Sequence, residues 1–118
     1  MIHHTDSTIH LTDIVFPKNI NHHETLFGGA ALSYMDKVAF IAATRYGRRH
    51  FVTASCDNID FVKPAFKGNI VDFAATVISA GRRSLKVEVV MQAEDMLTGD
   101  RVTCTRGIFN MVCVDSPV

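Results

Sequence analysis

The strongest hydrophobic pattern in the chain runs from about Gly29 to Tyr46. There Ala30, Ala31, Leu32, Tyr34, Met35, Val38, Ala39, Phe40, Ile41, Ala42, Ala43 and Tyr46 leave almost no polar stripe. The pattern predicts one long helix, with Arg45 in its last turn and Gly47 just beyond as a C′ glycine. The other apolar runs read as strands. Thr8 to Phe16 is rich in β-formers, alternates poorly and is ended by Pro17. Phe51 to Val62 begins with Val52, Ala54 and Cys56 on one phase and then shifts to Ile59 and Phe61, which predicts a bulge. Ile70 to Ser79 follows. Ser84 to Glu94 then places Leu85, Val87, Val89, Met91 and Ala93 on one face, and Arg101 to Val114 is expected to bulge at Gly107. The connections around Gly81 and Thr98-Gly99-Asp100 are short enough for antiparallel hairpins.

The order β-α-β-β-β-β is an α+β arrangement, one helix against one antiparallel sheet. A helix that is apolar nearly all round is buried on nearly all sides. A five-stranded sheet lying flat covers one side only. Either the sheet wraps the helix or a second subunit covers it, and both point to a homo-oligomer.

Composition narrows the class. The 118 residues are expected to form a single domain, residues 1–118, with 47% hydrophobic and 20% charged positions, a globular balance. Acidic and basic residues number 12 each, which argues against nucleic acid or an anionic membrane as the main partner. Cys56, Cys104 and Cys113 lack CxxC spacing, so they read as small core residues of a reduced cytoplasmic protein. Met1 to Asp6 lacks a secretory pattern, and no apolar run reaches the roughly 20 residues of a membrane span. His3-His4 and His22-His23 lack the i, i+4 spacing of a helical metal site. No GxSxG, GxxxxGK[ST] or GxGxxG motif occurs.

One residue conflicts with the helix that carries it. Asp36 falls in its middle, with Leu32, Ser33, Ala39 and Phe40 three and four residues away and no cation placed to pair with it. Lys37 is adjacent but points elsewhere. Asp36 is either a carboxylate on a small solvated face shared with Ser33 and Lys37, or a desolvated general base or nucleophile. Gly28-Gly29 stands at the helix start, where backbone N–H groups lack partners and the dipole is positive. A substrate carbonyl can approach there and leave its developing charge on those donors, as in an oxyanion hole. Asn21 lies in the preceding polar loop, where an amide can hold a water or a thioester oxygen or simply make a turn.

Together these residues resemble a known family. Phe16-Pro17, Asn21-His22-His23-Glu24-Thr25-Leu26-Phe27-Gly28-Gly29, Leu32 and Met35-Asp36 resemble the signature of the acyl-CoA thioester hydrolases of the hot-dog fold. Val52-Thr53-Ala54-Ser55, Ile59-Asp60-Phe61 and Gly81-Arg82-Arg83-Ser84-Leu85 resemble later segments of that family, so the likeness runs from about Leu11 to Asp115. The resemblance implies an antiparallel sheet wrapped around one central helix, hydrolysis of acyl-CoA to a carboxylic acid and CoA, and no cofactor beyond the CoA of the substrate. It implies Asp36 and Asn21 as catalytic residues, contributed by different subunits of a homodimer, with trimers of dimers common. It places the carbonyl-polarising N–H at Gly29, and it makes Gly28, Thr25, Ser55, Arg82, Arg83 and Ser84 substrate-binding positions. The Arg82-Arg83 turn is the first candidate for the CoA phosphates and Arg48-Arg49-His50 the second. Many relatives carry glycine where this chain has Glu24, whose side chain is expected to narrow the acyl pocket or reorient Asn21. The alternatives are a hot-dog hydratase or dehydratase, which normally uses a histidine that this helix lacks, and a non-catalytic acyl-CoA sensor.

Overall fold

The computed structural model describes residues 8–114. Met1 to Asp6, where a leader pattern was sought, lies outside them. Strand β1 spans Ile9–Ile14, and a single 3-10 turn at Pro17–Asn19 leads through a loop to helix α1, Gly28–Gly47. Strands β2 (His50–Phe61), β3 (Ile70–Ala80), β4 (Ser84–Glu94) and β5 (Arg101–Val114) complete the order that the hydrophobic pattern predicts. They form one antiparallel sheet, β1-β3-β4-β5-β2, with β1 and β2 at its edges. The sheet curls around α1, which touches every strand. This is the hot-dog arrangement.

Period-two alternation explains the inner face. Leu85, Val87, Val89, Met91 and Ala93 of β4 are buried, as their phase predicts, and Val71, Phe73 and Ala75 of β3 line up beside them. Above them lie Ala31, Met35, Val38, Ala39, Ala42 and Ala43 of α1. Four of these six are alanines, so the helix backbone can settle close to the sheet.

The remaining stripe of α1 is not covered. Gly29, Ser33, Asp36, Lys37 and Phe40 are exposed in the single chain. The helix is therefore not buried all round by its own sheet. The curled sheet reaches around the alanine-rich side and stops at β2.

Two expected details change. The fifth strand does bulge, but at Cys104: Thr103 stands opposite Gln92 and Thr105 opposite Met91, which leaves Cys104 without a partner. Gly107 is instead a place of close approach, since a Cβ there would collide with the Ile59 side chain. In β2 the register slips twice, between Thr53 and Ser55 and between Asp57 and Asp60, with Asn58 at φ 52°. Phe51, before the slips, and Ile59, within the second, face inward, while Val52 is half-buried and Ala54 and Cys56 are exposed. Cys56 is thus no core residue, while Cys104 and Cys113 are buried and all three thiols are free.

The helix end has its own logic. Arg48, not Gly47, takes the left-handed conformation, at φ 51° and ψ 42°, and its N–H bonds to the Thr44 carbonyl at 2.7 Å. Gly47 is required for a different reason. A Cβ there would lie 2.8 Å from Cε2 and Cζ of the buried Phe51 ring. Gly47→Ala is expected to cost about 1–3 kcal/mol, read as a lower denaturant midpoint with an unchanged slope.

The Tyr34 hydroxyl ties α1 to β1 by donating to Asp13 Oδ2 at 2.5 Å. That bond, then the Ile14 N–H, holds the Asp13 carboxyl below its ordinary 3.8. The same bond, then burial, raises the Tyr34 hydroxyl above 10.0. The signs follow from linkage. The Asp13 contribution is present above about pH 3.8 and lost as pH falls through the lowered value; the Tyr34 contribution is present below about pH 10 and lost as pH rises through the raised one. Tyr34→Phe is expected to lower stability by about 1 kcal/mol at pH 7, the partial solvent access reducing the full value of a charge-assisted bond. Its stability curve is expected to converge on that of the wild type at both pH extremes.

Candidate active site

The exposed face of α1 carries the chemistry. Gly29, Ser33, Asp36 and Phe40 follow at four-, three- and four-residue steps, so they share one face. Gly29 and Asp36 lie roughly 10 Å apart along the axis. The helix starts at Gly28 behind Phe27, which offers no side-chain cap. Ala31 is the first helical residue whose N–H finds a carbonyl behind it, that of Phe27 at 3.0 Å. The three preceding donors, at Gly28, Gly29 and Ala30, have no such partner within the helix. Gly29 is exposed, and a Cβ placed on it meets nothing within 4 Å, so the space beside its Cα is open.

Asp36 is not unpartnered. Thr53 Oγ1 donates to Asp36 Oδ1 at 2.6 Å, joining the middle of α1 to edge strand β2. In the isolated chain Asp36 is exposed, as the solvated-face reading has it, and no described cation pairs with it. Lys37 does point elsewhere, its Nζ lying 5.9 Å from the centroid of the Tyr34 ring. Cys56 lies close enough to register Asp36. Burial first, then the charges of Asp36 and Asp57, raise its thiol above the ordinary value, so the thiol form prevails at neutral pH. Thr53 had no signal of its own in the sequence. A threonine in a β-rich run is ordinary, and only the register of β2 against α1 reveals its partner.

Asn21 sits elsewhere. Its Oδ1 accepts from the His23 N–H at 2.9 Å and the Thr25 N–H at 3.2 Å, while its Nδ2 donates to Thr25 Oγ1 at 2.8 Å. Thr25 is thus the partner that holds the Asn21 amide. This is a turn-forming arrangement. Among the described residues no hydrogen bond joins Asn21 to Asp36 or Gly29. The loop it builds is fastened by the Leu26 N–H to the Ala65 carbonyl at 2.8 Å and the Phe27 N–H to the Asn19 carbonyl at 3.0 Å, and it ends at Gly28.

The turn also accounts for Glu24. Its backbone is left-handed at φ 62°, where glycine has no steric penalty and other residues do. Its carboxylate turns to Lys67 Nζ, 2.8 Å away, and that pairing lowers its pKa. The Glu24 side chain is therefore engaged with Lys67 and makes no hydrogen bond to the Asn21 amide.

The arginines collect at the other end of the fold. Arg82, Arg83 and Ser84 form the β3–β4 turn and line one cavity with Arg49, Tyr46 and Phe51. Arg49 Nη1 donates to the Arg82 carbonyl at 3.5 Å, so the two expected basic clusters meet. Arg83 Nη2 donates to the Cys113 carbonyl at 3.5 Å. This group adjoins the C-terminal end of α1, the far end from Gly28 and Gly29, which the 20-residue helix sets roughly 30 Å away. Ser55 is exposed on β2, where its Oγ accepts from Asn110 Nδ2 at 2.9 Å.

A helix start and a held carboxylate thus share one helix face. Residues 23–104 match the Thioesterase superfamily. The chain belongs to that family. It is 39% identical over 111 residues to the uncharacterized acyl-CoA thioester hydrolase YkhA of Bacillus subtilis, a match covering 94% of this chain and 64% of that relative. Its fold is similar to that of an acyl-CoA hydrolase from Staphylococcus aureus solved with butyryl coenzyme A, coenzyme A and coenzyme A disulfide. There the TM-score is 0.90 at 32% identity, over 96% of this chain and 69% of that one. An apo-hexameric acyl-CoA thioesterase matches with a TM-score of 0.90 at 35% identity, over 93% of this chain and 70% of that one. The chain thus spans about two thirds of the length of these relatives.

If the left-handed turn strains Glu24, Glu24→Gly removes strain and forfeits only an exposed ion pair, which is worth little. The variant is expected to melt at a higher temperature than the wild type, measured by circular dichroism.

Proposed function

We propose that this chain hydrolyses acyl-CoA thioesters to a carboxylic acid and CoA, with Asp36 as the general base or nucleophile. One observation carries the reading. Asp36, held by Thr53, shares an uncovered helix face with exposed Gly29, whose N–H has no partner within the helix.

The chemistry follows from what each group has free. Thr53 occupies Oδ1, so Oδ2 is left to take a proton from water, or to attack the thioester carbon and form an anhydride that water then resolves. In the water route the new C–O bond forms as the carbonyl electrons move to oxygen. The Gly29 N–H receives that charge. Collapse of the tetrahedral species breaks the C–S bond, and the CoA thiolate leaves to be protonated. Hydrolysis of this kind needs no cofactor. CoA enters as part of the substrate. The Arg49, Arg82 and Arg83 group lies too far along the helix to reach the phosphates of a CoA bound at Gly29 of its own chain, so its guanidinium donors would serve a CoA bound at a neighbouring copy.

In this proposal the site is completed by a second copy. Phe27, Phe40 and Phe61 are 51%, 47% and 56% exposed, an apolar load beside a bare strand edge. A copy of the chain laid against β2 and the Asp36 stripe covers it and dries the carboxylate. Asn21, in contact with neither Asp36 nor Gly29 of its own chain, is then free to serve the Asp36 of that copy. Its turn bonds leave one Nδ2 hydrogen for substrate. A trimer of such dimers is the proposed assembly, in line with the hexameric relative.

Solved variants of the Staphylococcus aureus enzyme support the choice of residues. They carry alanine in place of an asparagine, an aspartate and a threonine spaced by 15 and then 17 positions, the spacing of Asn21, Asp36 and Thr53.

Asp36→Ala is expected to lower kcat for thiol release by about 10²-fold or more while CoA still binds. Thr53→Val, which removes only the hydroxyl that orients the carboxylate, is expected to lower kcat by about tenfold with little change in KM. Wild-type turnover in Asp36→Ala removes that residue from the mechanism. A Thr53→Val enzyme that keeps wild-type kcat reduces Thr53 to packing.

A further inference from the structure

We propose that the acyl chain enters the cavity beside Gly28, and that the floor of this cavity selects short acyl groups carrying a hydroxyl or keto oxygen. The inference rests on the thioesterase reading above and names its substrate class.

The cavity has a volume of about 240 Å³ and lies between the start of α1 and the sheet. Strand register builds its floor. Phe61 of β2 stands opposite Thr105 of β5, and Thr105 stands opposite Met91 of β4. Gly28 and Ala31 of α1 lie on the helix side. A Cβ on Gly28 would touch the Phe61 ring at 3.5 Å, so the bare glycine and the ring together frame an entrance. Gly29 is the next residue. A thioester whose carbonyl oxygen reaches the Gly29 N–H therefore begins its acyl chain at this entrance.

Size limits the occupant. An aliphatic cavity of about 150 Å³ holds benzene, a six-carbon molecule, so the part of an acyl chain seated within 240 Å³ is roughly ten carbons, and a longer chain leaves its end on the surface beside Val62 and Lys63. Met91 and Thr105 are 2% and 1% exposed, which leaves the chain no path beyond them without moving the sheet.

Polarity refines it. Among the described residues Thr105 is one of two buried polar or charged ones; no hydrogen bond to its hydroxyl is found, yet the buried side-chain oxygen left without a partner is that of Thr44, so the Thr105 hydroxyl still reaches the cavity it lines. An alkyl chain leaves that hydroxyl unsatisfied. An acyl group bearing its own oxygen gives it a partner, and sites with a polar group to satisfy discriminate against analogues that cannot do so.

The test is thiol release by the purified chain with butyryl-CoA, 3-hydroxybutyryl-CoA, octanoyl-CoA and palmitoyl-CoA. The expected kcat/KM falls by about tenfold or more between octanoyl and palmitoyl, and 3-hydroxybutyryl exceeds butyryl. Thr105→Val, which preserves volume, is expected to lower the hydroxybutyryl-to-butyryl ratio by about threefold to tenfold. Met91→Ala is expected to move the cutoff to longer chains. Should Met91→Ala fail to fold, the wild-type panel and Thr105→Val decide without it. Palmitoyl-CoA cleaved as fast as butyryl-CoA, or a ratio unmoved in Thr105→Val, overturns the inference while leaving the thioesterase reading intact. Absence of thiol release from every substrate overturns both.

Discussion

A curled five-stranded sheet cannot enclose a helix completely, and the organisation of this protein follows from that limit. Six residues of α1, four of them alanines, have essentially no exposed surface, and the helix packs chiefly against β3 and β4. Closeness on that side means distance on the other. The sheet ends at β2, and the stripe through Gly29, Ser33, Asp36 and Phe40 is left open. The same boundary supplies Thr53, a residue of edge strand β2 whose hydroxyl bonds to the Asp36 carboxylate. An uncovered stripe beside an unpaired strand edge leaves the Asp36 carboxylate exposed, and it leaves Phe27, Phe40 and Phe61 exposed with it.

Much of the fold was legible because two periodicities do not overlap. A run of apolar residues with no period-two alternation, closed by Arg45 and Gly47, has no strand interpretation. Leu85 to Ala93 alternates too cleanly to be anything else. What the pattern missed were places where tertiary contact decides. Gly47 was read as the left-handed residue, but the Phe51 ring claims the space of its Cβ, and the turn passes to Arg48. Gly107 was read as a bulge, but it makes room for Ile59, and the extra residue is Cys104. A glycine in a sequence announces that a side chain is unwelcome. It does not say whether the backbone or a neighbour objects.

The site divides in the same way. Asp36 and the Gly28-Gly29 helix start could be singled out from chemistry alone, since a carboxylate amid apolar residues and a bare helix terminus both call for explanation. That Asp36 lies on an open face could not, because hydropathy does not record how far a sheet extends. Nor could Thr53, whose role depends on a register set by two slips in β2. Glu24 shows the reverse case. Its identity suggested an effect on the pocket or on Asn21; its left-handed backbone and its pairing with Lys67 are what only the structure adds.

The position of Asn21 gives the most consequential constraint. Its side chain is tied into a turn with Thr25, and that turn is fastened to Ala65, so it has little freedom to swing toward Asp36 of its own helix. A catalytic pairing of the two, as proposed, therefore has to come from bringing chains together rather than from motion within one. That arrangement makes assembly part of the chemistry: an isolated chain carries a wet carboxylate, and only an apposed copy both excludes water around it and brings up an amide. Activity and association then share one surface. A substitution such as one at Phe40, which touches no reacting atom in this scheme, acts on turnover through the concentration at which the chains meet.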